Sequence, residues 1–247
     1  MTSLVIDIGN TLTKIAVFKG DEMVAVEQHE QPGMNEIYRF TNEYDIGKVV
    51  ISSVKRDKGD WQPKLEAGYT VVYFNSSINT GIKNHYKTPH TLGPDRLAAV
   101  IGVNSLYPHT NNLIISGGTT ITYDYVDACG NYFGGSISPG LNMRYKALNN
   151  YTGSLPLINA DESFDAAYGN DTASAIISGV QNGIKYELTG FIKSYKKAGV
   201  DMNIVLSGGD SIFFDTLLKN SIFAPYIKIE PYLVLKGLNA AIQNNND

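Results

Sequence analysis

Ile6-Asp7-Ile8-Gly9-Asn10-Thr11-Leu12-Thr13, at residues 6–13, matches Ile115-Ser116-Gly117-Gly118-Thr119-Thr120-Ile121-Thr122, at residues 115–122, without a gap. Each copy has an apolar strand pattern, a glycine turn and threonines at two alternating positions. A predicted hairpin and a further strand follow both copies. The match predicts an internal duplication and an α/β protein of two similar domains, residues 1–110 and 111–247. Two such domains would face each other across a cleft, where ligands commonly bind.

Composition narrows the possible functions of the 247-residue chain. Its 43% hydrophobic content allows a packed core, and its net charge of −4 argues against binding to a nucleic-acid backbone. The single cysteine, Cys129, excludes an internal disulfide and a zinc site built from several cysteines. Because we find neither a membrane-spanning apolar run nor a signal-peptide pattern, we expect a cytoplasmic protein with no membrane partner.

The sequence pattern places the notable residues at the ends of strands and helices. Apolar, β-branched residues predict strands at Ser3–Ile8 and Thr13–Phe18. The polar stretch 76–92 reads as a long loop. A helix is predicted to open at Gly93-Pro94-Asp95 and to run to about Tyr107, with proline at an early helical position where its missing N–H costs nothing. A longer helix is predicted from about Asp171 to Lys197.

The first glycine turn, Asp7-Ile8-Gly9-Asn10-Thr11, has residues suited to phosphate binding. Asp7 ends a buried strand, where a carboxylate needs a partner such as a hydrated divalent cation. The turn amides and the hydroxyls of Thr11 and Thr13 can donate to phosphate oxygens, and Lys14 can add a positive charge. An ordinary hairpin with a capping aspartate and two strand threonines would give the same pattern, so both interpretations stay open at this point.

Gly93-Pro94-Asp95-Arg96 is the sharpest local signal in the sequence. A carboxylate in the first turn of a helix can accept a proton from a substrate hydroxyl as a general base. Arg96 can form a forked contact with a carboxylate or phosphate. The alternative is an aspartate that only stabilises the positive end of the helix.

Two further glycine-rich strand ends could approach a nucleotide. Gly117-Gly118-Thr119-Thr120 offers backbone donors like those of the first turn, and Ser207-Gly208-Gly209-Asp210 precedes a predicted helix. The segment 134–140, Gly-Gly-Ser-Ile-Ser-Pro-Gly, places backbone amides near the start of another helix. Plain structural turns would explain each of these segments as well.

Taken together, the motifs resemble those of type III pantothenate kinases, in the superfamily that joins acetate and sugar kinases, heat-shock chaperone ATPases and actin. The resemblance covers nearly the whole chain and rests on seven motifs in order. These are Asp-x-Gly-Asn-Thr-x-x-Lys at 7–14, Gly-Pro-Asp-Arg at 93–96, Gly-Thr-Thr-Ile-Thr-Tyr-Asp at 118–124, Gly-Gly-Ser-Ile-Ser-Pro-Gly at 134–140, Leu155-Pro156, Asn170-Asp171-Thr172 and Ser207-Gly208-Gly209.

The resemblance implies both a fold and a reaction. The fold would be two RNase H-like domains of the actin-like ATPase type. The chain would form a homodimer whose interface helps to build the pantothenate pocket. The reaction would be ATP- and Mg²⁺-dependent phosphorylation of pantothenate to 4'-phosphopantothenate, the first step of coenzyme A biosynthesis.

The resemblance also assigns roles by position. Asp95 matches the proposed catalytic base, and Thr119 matches an ATP contact. Mg²⁺ would be held near Asp7, through water. The ATP phosphate loop would comprise Asp7, Ile8, Gly9, Asn10, Thr11, Leu12, Thr13 and Lys14. The substrate-side positions would be Tyr86, Gly93, Pro94, Asp95, Arg96 and Thr172.

One position departs from the family pattern. Where the family usually has an aspartate that holds an activating potassium or ammonium ion, this chain has Ser116, which offers only a neutral oxygen. Asp124 or a backbone carbonyl is the alternative ligand that could compensate. The departure motivates an alternative, a catalytically weakened paralogue that binds nucleotide or pantothenate without turnover. Asp7, Lys14 and Asp95 argue against that alternative. Another small-molecule kinase of the superfamily, acting on a sugar or polyol, is the second alternative.

Overall fold

The computed structural model describes residues 2–55, 61–76, 78, 80–196 and 200–243. The chain divides into two compact units. Unit 1 comprises Met1–His109, Cys129–Phe133 and Tyr232–Asp247, and unit 2 comprises Thr110–Ala128 and Gly134–Pro231. This division differs from the predicted 1–110 and 111–247 mainly at the C-terminus, which groups with unit 1.

A five-stranded sheet in the order β3-β2-β1-β4-β5 forms the centre of unit 1. The first two strands form an antiparallel hairpin, whereas β1 and β4 run parallel. The strands are β1 (Thr2–Ile8), β2 (Thr13–Lys19), β3 (Glu22–His29), β4 (Lys48–Ser53) and β5 (Val71–Tyr73). The helices of this unit are α1 (Met34–Thr41), α2 (Gln62–Gly68), α3 (Pro94–Leu106) and α7 (Leu233–Gln243).

Successive side chains along each strand point to opposite faces of this sheet, and helices cover both faces. Leu4 and Ile6 point to one face, where they join the core that includes Ile37 of α1 and Leu65 of α2. The other face is covered by α3 and α7. Gly102 allows those two helices to pack closely, because any residue with a Cβ atom at this position would place it only 2.6 Å from the carbonyl oxygen of Leu233.

Side-chain hydrogen bonds explain why α7 belongs to unit 1 and not to the predicted second domain. The Ser3 hydroxyl donates to the Asn239 side chain at 2.6 Å, and the amide of Asn239 donates to the carbonyl oxygen of Gly20 at 2.9 Å. Because Asn239 is buried, these bonds tie α7 to β1 and to the β2–β3 turn. Nothing in the local sequence pattern of the helix reveals such a distant partner.

Unit 2 contains a second sheet, in the order β11-β10-β7-β8-β9. Its strands are β7 (Asn111–Gly117), β8 (Thr120–Val126), β9 (Asn131–Pro139), β10 (Met202–Gly208) and β11 (Ile227–Ile229). The helices α4 (Leu141–Tyr151), α5 (Thr172–Tyr195) and α6 (Ser211–Leu218) share one core with it, including Leu113, Tyr123, Ile184 and Phe214. The short β6 (Lys83–Asn84) pairs with Asn131 and Tyr132, the part of β9 that belongs to unit 1.

The predicted strands and helices that carry the motifs are present, with ends shifted by a few residues. Two regions differ from the prediction. The stretch 76–92 includes β6 and a 3₁₀ turn at Pro89–Thr91, and α2 has no counterpart among the predicted elements. The long helix predicted to Lys197 ends at Tyr195, and Lys197 lies outside the described residues. Within the described part of the chain, no helix combines the length and the apolarity needed to cross a bilayer.

Candidate active site

Three polar residues form a row across the sheet of unit 1. Asp7 on β1 lies opposite Lys14 on β2 and opposite Ser52 on β4. The apolar neighbours Ile6, Ile15 and Ile51 point to the core on the opposite face of the sheet. The row therefore faces the same side of the sheet as α3. It lies at the carboxyl ends of β1 and β4, the edge where open α/β sheets commonly bind ligands.

The Asp7 carboxylate is buried, with 8% of the residue exposed. Burial, together with the nearby negative charge of Asp95, raises the pKa of Asp7 from 3.8 to about 6, although Lys14 and Ser52 oppose the rise. Its Oδ1 atom has no hydrogen-bond partner among the described residues. A buried carboxylate oxygen without a partner is costly, which points to a cation or a ligand hydrogen.

The turn after β1 is compact and open to solvent. The amide of Gly9 donates to the carbonyl oxygen of Leu12 at 3.1 Å, and a Cβ atom at Gly9 would lie 2.9 Å from that oxygen. Asn10, Thr11 and Leu12 are exposed, whereas Thr13 is buried. Glycine is therefore required for the shape of this turn, and its polar groups are accessible to a ligand.

Asp95 lies in the first turn of α3, directly after Gly93 and Pro94. Its Oδ1 atom accepts a hydrogen bond from the backbone N–H of Arg96 at 2.9 Å. A Cβ atom at Gly93 would lie only 2.5 Å from that oxygen, so glycine makes room for this carboxylate. Asp95 therefore lies at the positive end of the α3 helix dipole. Because the charge of Asp95 acts on Asp7, the two predicted site residues lie close together.

A buried arginine with aromatic neighbours lies beside Asp95. Arg96 is 6% exposed, and its Cζ atom lies 5.9 Å from the centre of the Tyr86 ring. The ring of Tyr86 is nearly parallel to that of Tyr132, with centres 6.5 Å apart. The predicted substrate-side residues Tyr86 and Arg96 are therefore in contact, as a cation–π pair. Sequence reasoning missed Tyr132, whose only signal was its position in an apolar strand.

In unit 2, the turn at residues 117–120, the second glycine turn, packs against the start of α4. The amide of Gly118 donates to the carbonyl oxygen of Thr120, and the amide of Gly140 donates to the carbonyl oxygen of Thr119, both at 3.1 Å. A Cβ atom at Gly140 would collide with the carbonyl oxygens of Gly118 and Thr119. Gly140 therefore shapes the turn that carries Thr119.

Ser116 lies in a row of neutral hydroxyl groups. Across the sheet it is paired with Thr122 on β8 and with Ser207 on β10, on the face opposite the core. The Oγ atom of Ser207 is buried and has no hydrogen-bond partner within the described residues. The nearest acid along β8 on the same face is the buried Asp124. Position 116 itself therefore supplies no carboxylate to a cation, and the acidic group nearest to it along this face of β8 is that of Asp124.

Two further predicted positions lie at helix starts in unit 2. Thr172 is the first residue of α5, and the Asp171 side chain before it accepts a hydrogen bond from the amide of Ser174 at 2.9 Å. Asp210 precedes α6, and burial raises the pKa of its carboxyl group. Gly208 has φ +81°, and a side chain there would collide with the backbone of Gly117, so this strand end is also shaped by glycine.

Relatives of known family match the chain over its whole length. The sequence model of the type III pantothenate kinase family matches residues 3–194. The chain belongs to the type III pantothenate kinase family. The Bacteroides fragilis (strain YCH46) type III pantothenate kinase is 40% identical over 245 residues, covering 99% of this chain and 98% of the relative. The Phocaeicola vulgatus type III pantothenate kinase is 38% identical, covering 99% of both chains.

Membership confirms the resemblance drawn from the motifs and makes the chain an ATP-dependent kinase that uses a divalent metal. The family reaction is the phosphorylation of pantothenate, the first step of coenzyme A biosynthesis. Among solved structures, the activator of 2-hydroxyisocaproyl-CoA dehydratase from Clostridium difficile with bound ADPNP has a TM-score of 0.58. It is 16% identical and covers 99% of this chain and 96% of that chain. This likeness supports the predicted α/β fold of two RNase H-like, actin-like ATPase units.

The donors in unit 1 fit a magnesium ion carried by ATP. Mg²⁺ is usually held by one or two carboxylates and by phosphate oxygens, and it keeps several waters. Asp7 supplies a buried carboxylate oxygen without a partner among the described residues, and it is the residue expected to hold the ion through water. Among the described residues there is no group of three histidine, cysteine, aspartate or glutamate side chains that could form an all-protein metal cage.

Proposed function

We propose that the chain phosphorylates the primary hydroxyl of pantothenate, with Asp95 as the general base. The observation that carries this proposal is the pair of carboxylates at the end of the unit 1 sheet. One of them, Asp7, is buried with an oxygen that lacks a partner, and the other, Asp95, begins a helix beside it. A phosphotransferase can use one such group to hold the metal–phosphate complex and the other to accept the hydroxyl proton.

Each residue then has a separate task in the transfer. The first glycine turn and Lys14 bind the phosphates of ATP, and in unit 2 Thr119 provides another ATP contact. Asp95 accepts the hydroxyl proton of pantothenate as the hydroxyl oxygen bonds to the γ-phosphorus; the bond from that phosphorus to the β–γ bridging oxygen breaks, and ADP leaves. Arg96 and Tyr86 bind pantothenate, with Gly93 and Pro94 shaping the backbone beside them. Asp7 would hold Mg²⁺ through water, and the ion would supply positive charge to the phosphates.

A panel of alcohols tests the substrate. ADP release by the wild-type chain is measured with ATP, Mg²⁺ and, in turn, pantothenate, a hexose and a polyol, and the phosphorylated product is identified by mass spectrometry. The proposal expects pantothenate-dependent ADP release and one product, 4'-phosphopantothenate. Turnover of a sugar or polyol but not of pantothenate would refute it in favour of a different kinase. Pantothenate binding by calorimetry without ADP release would instead identify a binding protein without turnover.

We also infer that turnover does not require potassium or ammonium. The neutral row of Ser207, Ser116 and Thr122 offers no carboxylate at the position where the family resemblance implies a cation ligand. Rates in potassium, ammonium and sodium chloride at equal ionic strength should agree within about twofold. In the Ser116→Asp variant the added charge should make the rate depend on potassium. Severalfold stimulation of the wild-type chain by potassium would contradict the inference.

The homodimer implied by the resemblance is also a proposal. In unit 2, α4, α5 and the segment between them expose large apolar side chains, including Tyr151 (89% exposed), Tyr168 (79%) and Tyr186 (64%). A second copy of the chain would cover such side chains. The resemblance assigns Thr172, at the start of α5, to pantothenate binding. Sedimentation should give twice the chain mass, and Tyr186→Glu should weaken association. A monomer at micromolar concentration would contradict the dimer.

We also propose a cytoplasmic location, because a chain with one cysteine cannot form the internal disulfides that are typical of proteins in oxidising compartments.

A further inference from the structure

Glu187, in the middle of α5, is the centre of a hydrogen-bond network in unit 2. Its Oε1 atom accepts from the Tyr123 hydroxyl on β8 at 2.8 Å and from the Ser138 hydroxyl on β9 at 2.5 Å. Its Oε2 atom accepts from the Arg144 guanidinium on α4 at 2.5 Å. One carboxylate therefore joins two strands and two helices.

The same network extends to the backbone that supports the second glycine turn. The Nε of Arg144 donates to the carbonyl oxygen of Pro139 at 2.9 Å. The next residue, Gly140, donates its amide to the carbonyl oxygen of Thr119 and is packed against Gly118 so closely that a Cβ atom would not fit. Any shift of the Pro139–Gly140 backbone would therefore move the turn that carries Thr119.

The strand on the other side of that turn is held by the same carboxylate. Tyr123 lies three residues after Thr120, the first residue of β8. Its ring is fully buried and stacks on Phe191, with centres 3.9 Å apart, so its hydroxyl has a fixed direction. Glu187 thus anchors both β8, which leaves the turn, and the β9–α4 connection, which packs against it.

We propose that Glu187 and Arg144 are positioning residues that hold the Gly117–Thr120 turn in the geometry that binds ATP. This inference rests on the proposed function only through the assignment of Thr119 to ATP. Neither residue belongs to one of the sequence motifs, and neither needs to contact the nucleotide. The two act through the Pro139–Gly140 backbone and through Tyr123.

The charges of the network are consistent with such a role. Burial would raise the pKa of Glu187, but the hydrogen bonds from Ser138, Arg144 and Tyr123, together with the charge of Arg144, lower it overall. Glu187 therefore stays ionised and paired with Arg144 at neutral pH. A charge-assisted, two-sided arginine contact restrains geometry more tightly than a neutral hydrogen bond.

The test compares Arg144→Met and Arg144→Lys with a matched control, Tyr145→Phe. The control removes the hydrogen bond from the Tyr145 hydroxyl to Gln181, at 3.0 Å, which also joins α4 to α5 but does not touch the turn. For each variant we would measure kcat, the KM for ATP, the KM for pantothenate, ADP binding by calorimetry and the melting temperature. ADP binding makes the test independent of pantothenate turnover.

Arg144→Met should raise the KM for ATP and the Kd for ADP up to about tenfold, the equivalent of losing one hydrogen bond to the nucleotide. The KM for pantothenate should change by less than about twofold. Arg144→Lys should recover part of the ADP affinity, since lysine can reach Glu187 but cannot also hold Pro139. Tyr145→Phe should lower the melting temperature and leave the KM for ATP unchanged.

Unchanged ADP affinity in Arg144→Met, or equal losses in Arg144→Met and Tyr145→Phe, would overturn the inference and leave a purely structural network. If Arg144→Met fails to fold, Ser138→Ala replaces it, with an expected loss of about threefold in ADP affinity. A wild-type chain that binds ADP but does not phosphorylate pantothenate would refute the proposed function while leaving this test intact.

Discussion

Replacing Asp7 by asparagine should make the protein more stable and at the same time inactive. Asp7 is buried, one of its oxygens has no partner among the described residues, and the charge of Asp95 acts on it. In the protein without nucleotide, the ionised carboxylate of Asp7 therefore destabilises the folded state. Asparagine has nearly the same shape and removes the charge, but it cannot serve as an anionic neighbour of Mg²⁺.

The size of the effect follows from the pKa of Asp7, which rises from 3.8 to about 6 on folding. A shift of ~2 units corresponds to about 3 kcal/mol of destabilisation once the group is ionised in both states. Because the folded state holds its proton more tightly, this penalty is absent below about pH 4, grows as the pH rises, and is complete above about pH 6. The asparagine amide must still be buried, so the net gain at pH 7.5 should be about 1–3 kcal/mol.

Thermal unfolding of the wild-type and Asp7→Asn chains at pH 4.5, 6 and 7.5, without nucleotide, measures this effect. At pH 7.5 the variant should melt ~2–12 °C higher, and the difference should shrink as the pH falls. Adding ADP and Mg²⁺ should then stabilise the wild type more than the variant. Asp21→Asn, at an exposed turn of the same unit, is the control and should show no such trend. A variant that is less stable at pH 7.5, or a gain that does not depend on pH, would refute the reasoning.

Two other substitutions probe the glycine contacts. In Gly140→Ala, the new methyl group would collide with the carbonyl oxygens of Gly118 and Thr119. ADP affinity measured by calorimetry should fall up to about tenfold, the equivalent of one lost hydrogen bond, while the circular dichroism stays native. In Gly237→Ala, the methyl group would collide with the backbone of Ala98, so urea denaturation should give a loss of about 1–3 kcal/mol in unit 1. Normal ADP binding by the first variant, or unchanged stability of the second, would contradict these contacts.

The sequence predicted most elements of the fold because its signals are local. Alternating apolar residues place β1 and β2, and Pro94 marks the start of α3. The features that it did not predict depend on distant residues. The placement of α7 in unit 1 depends on Asn239 and on the Gly102–Gly237 contact, whose partners lie more than a hundred residues away.

In the candidate site, too, local signals in the sequence indicate some residues, while residues that depend on distant partners are not indicated. Asp7, Lys14 and Asp95 stand out in the sequence because charged residues interrupt apolar strands or begin a helix. Ser52 was missed, since a serine at the end of a strand carries no signal until its register opposite Asp7 is known. Glu187 was missed for a related reason, because a glutamate in a long helix resembles a solvated surface residue until three partners converge on it.

The central claim is that the Asp95 carboxylate accepts the proton of the pantothenate hydroxyl. Its most direct test is the turnover of Asp95→Asn with saturating ATP, Mg²⁺ and pantothenate, alongside ADP binding by calorimetry to verify an intact nucleotide site. We expect kcat to fall about 10²–10⁴-fold while the ADP affinity stays close to that of the wild type. Near-normal turnover by Asp95→Asn would contradict the account.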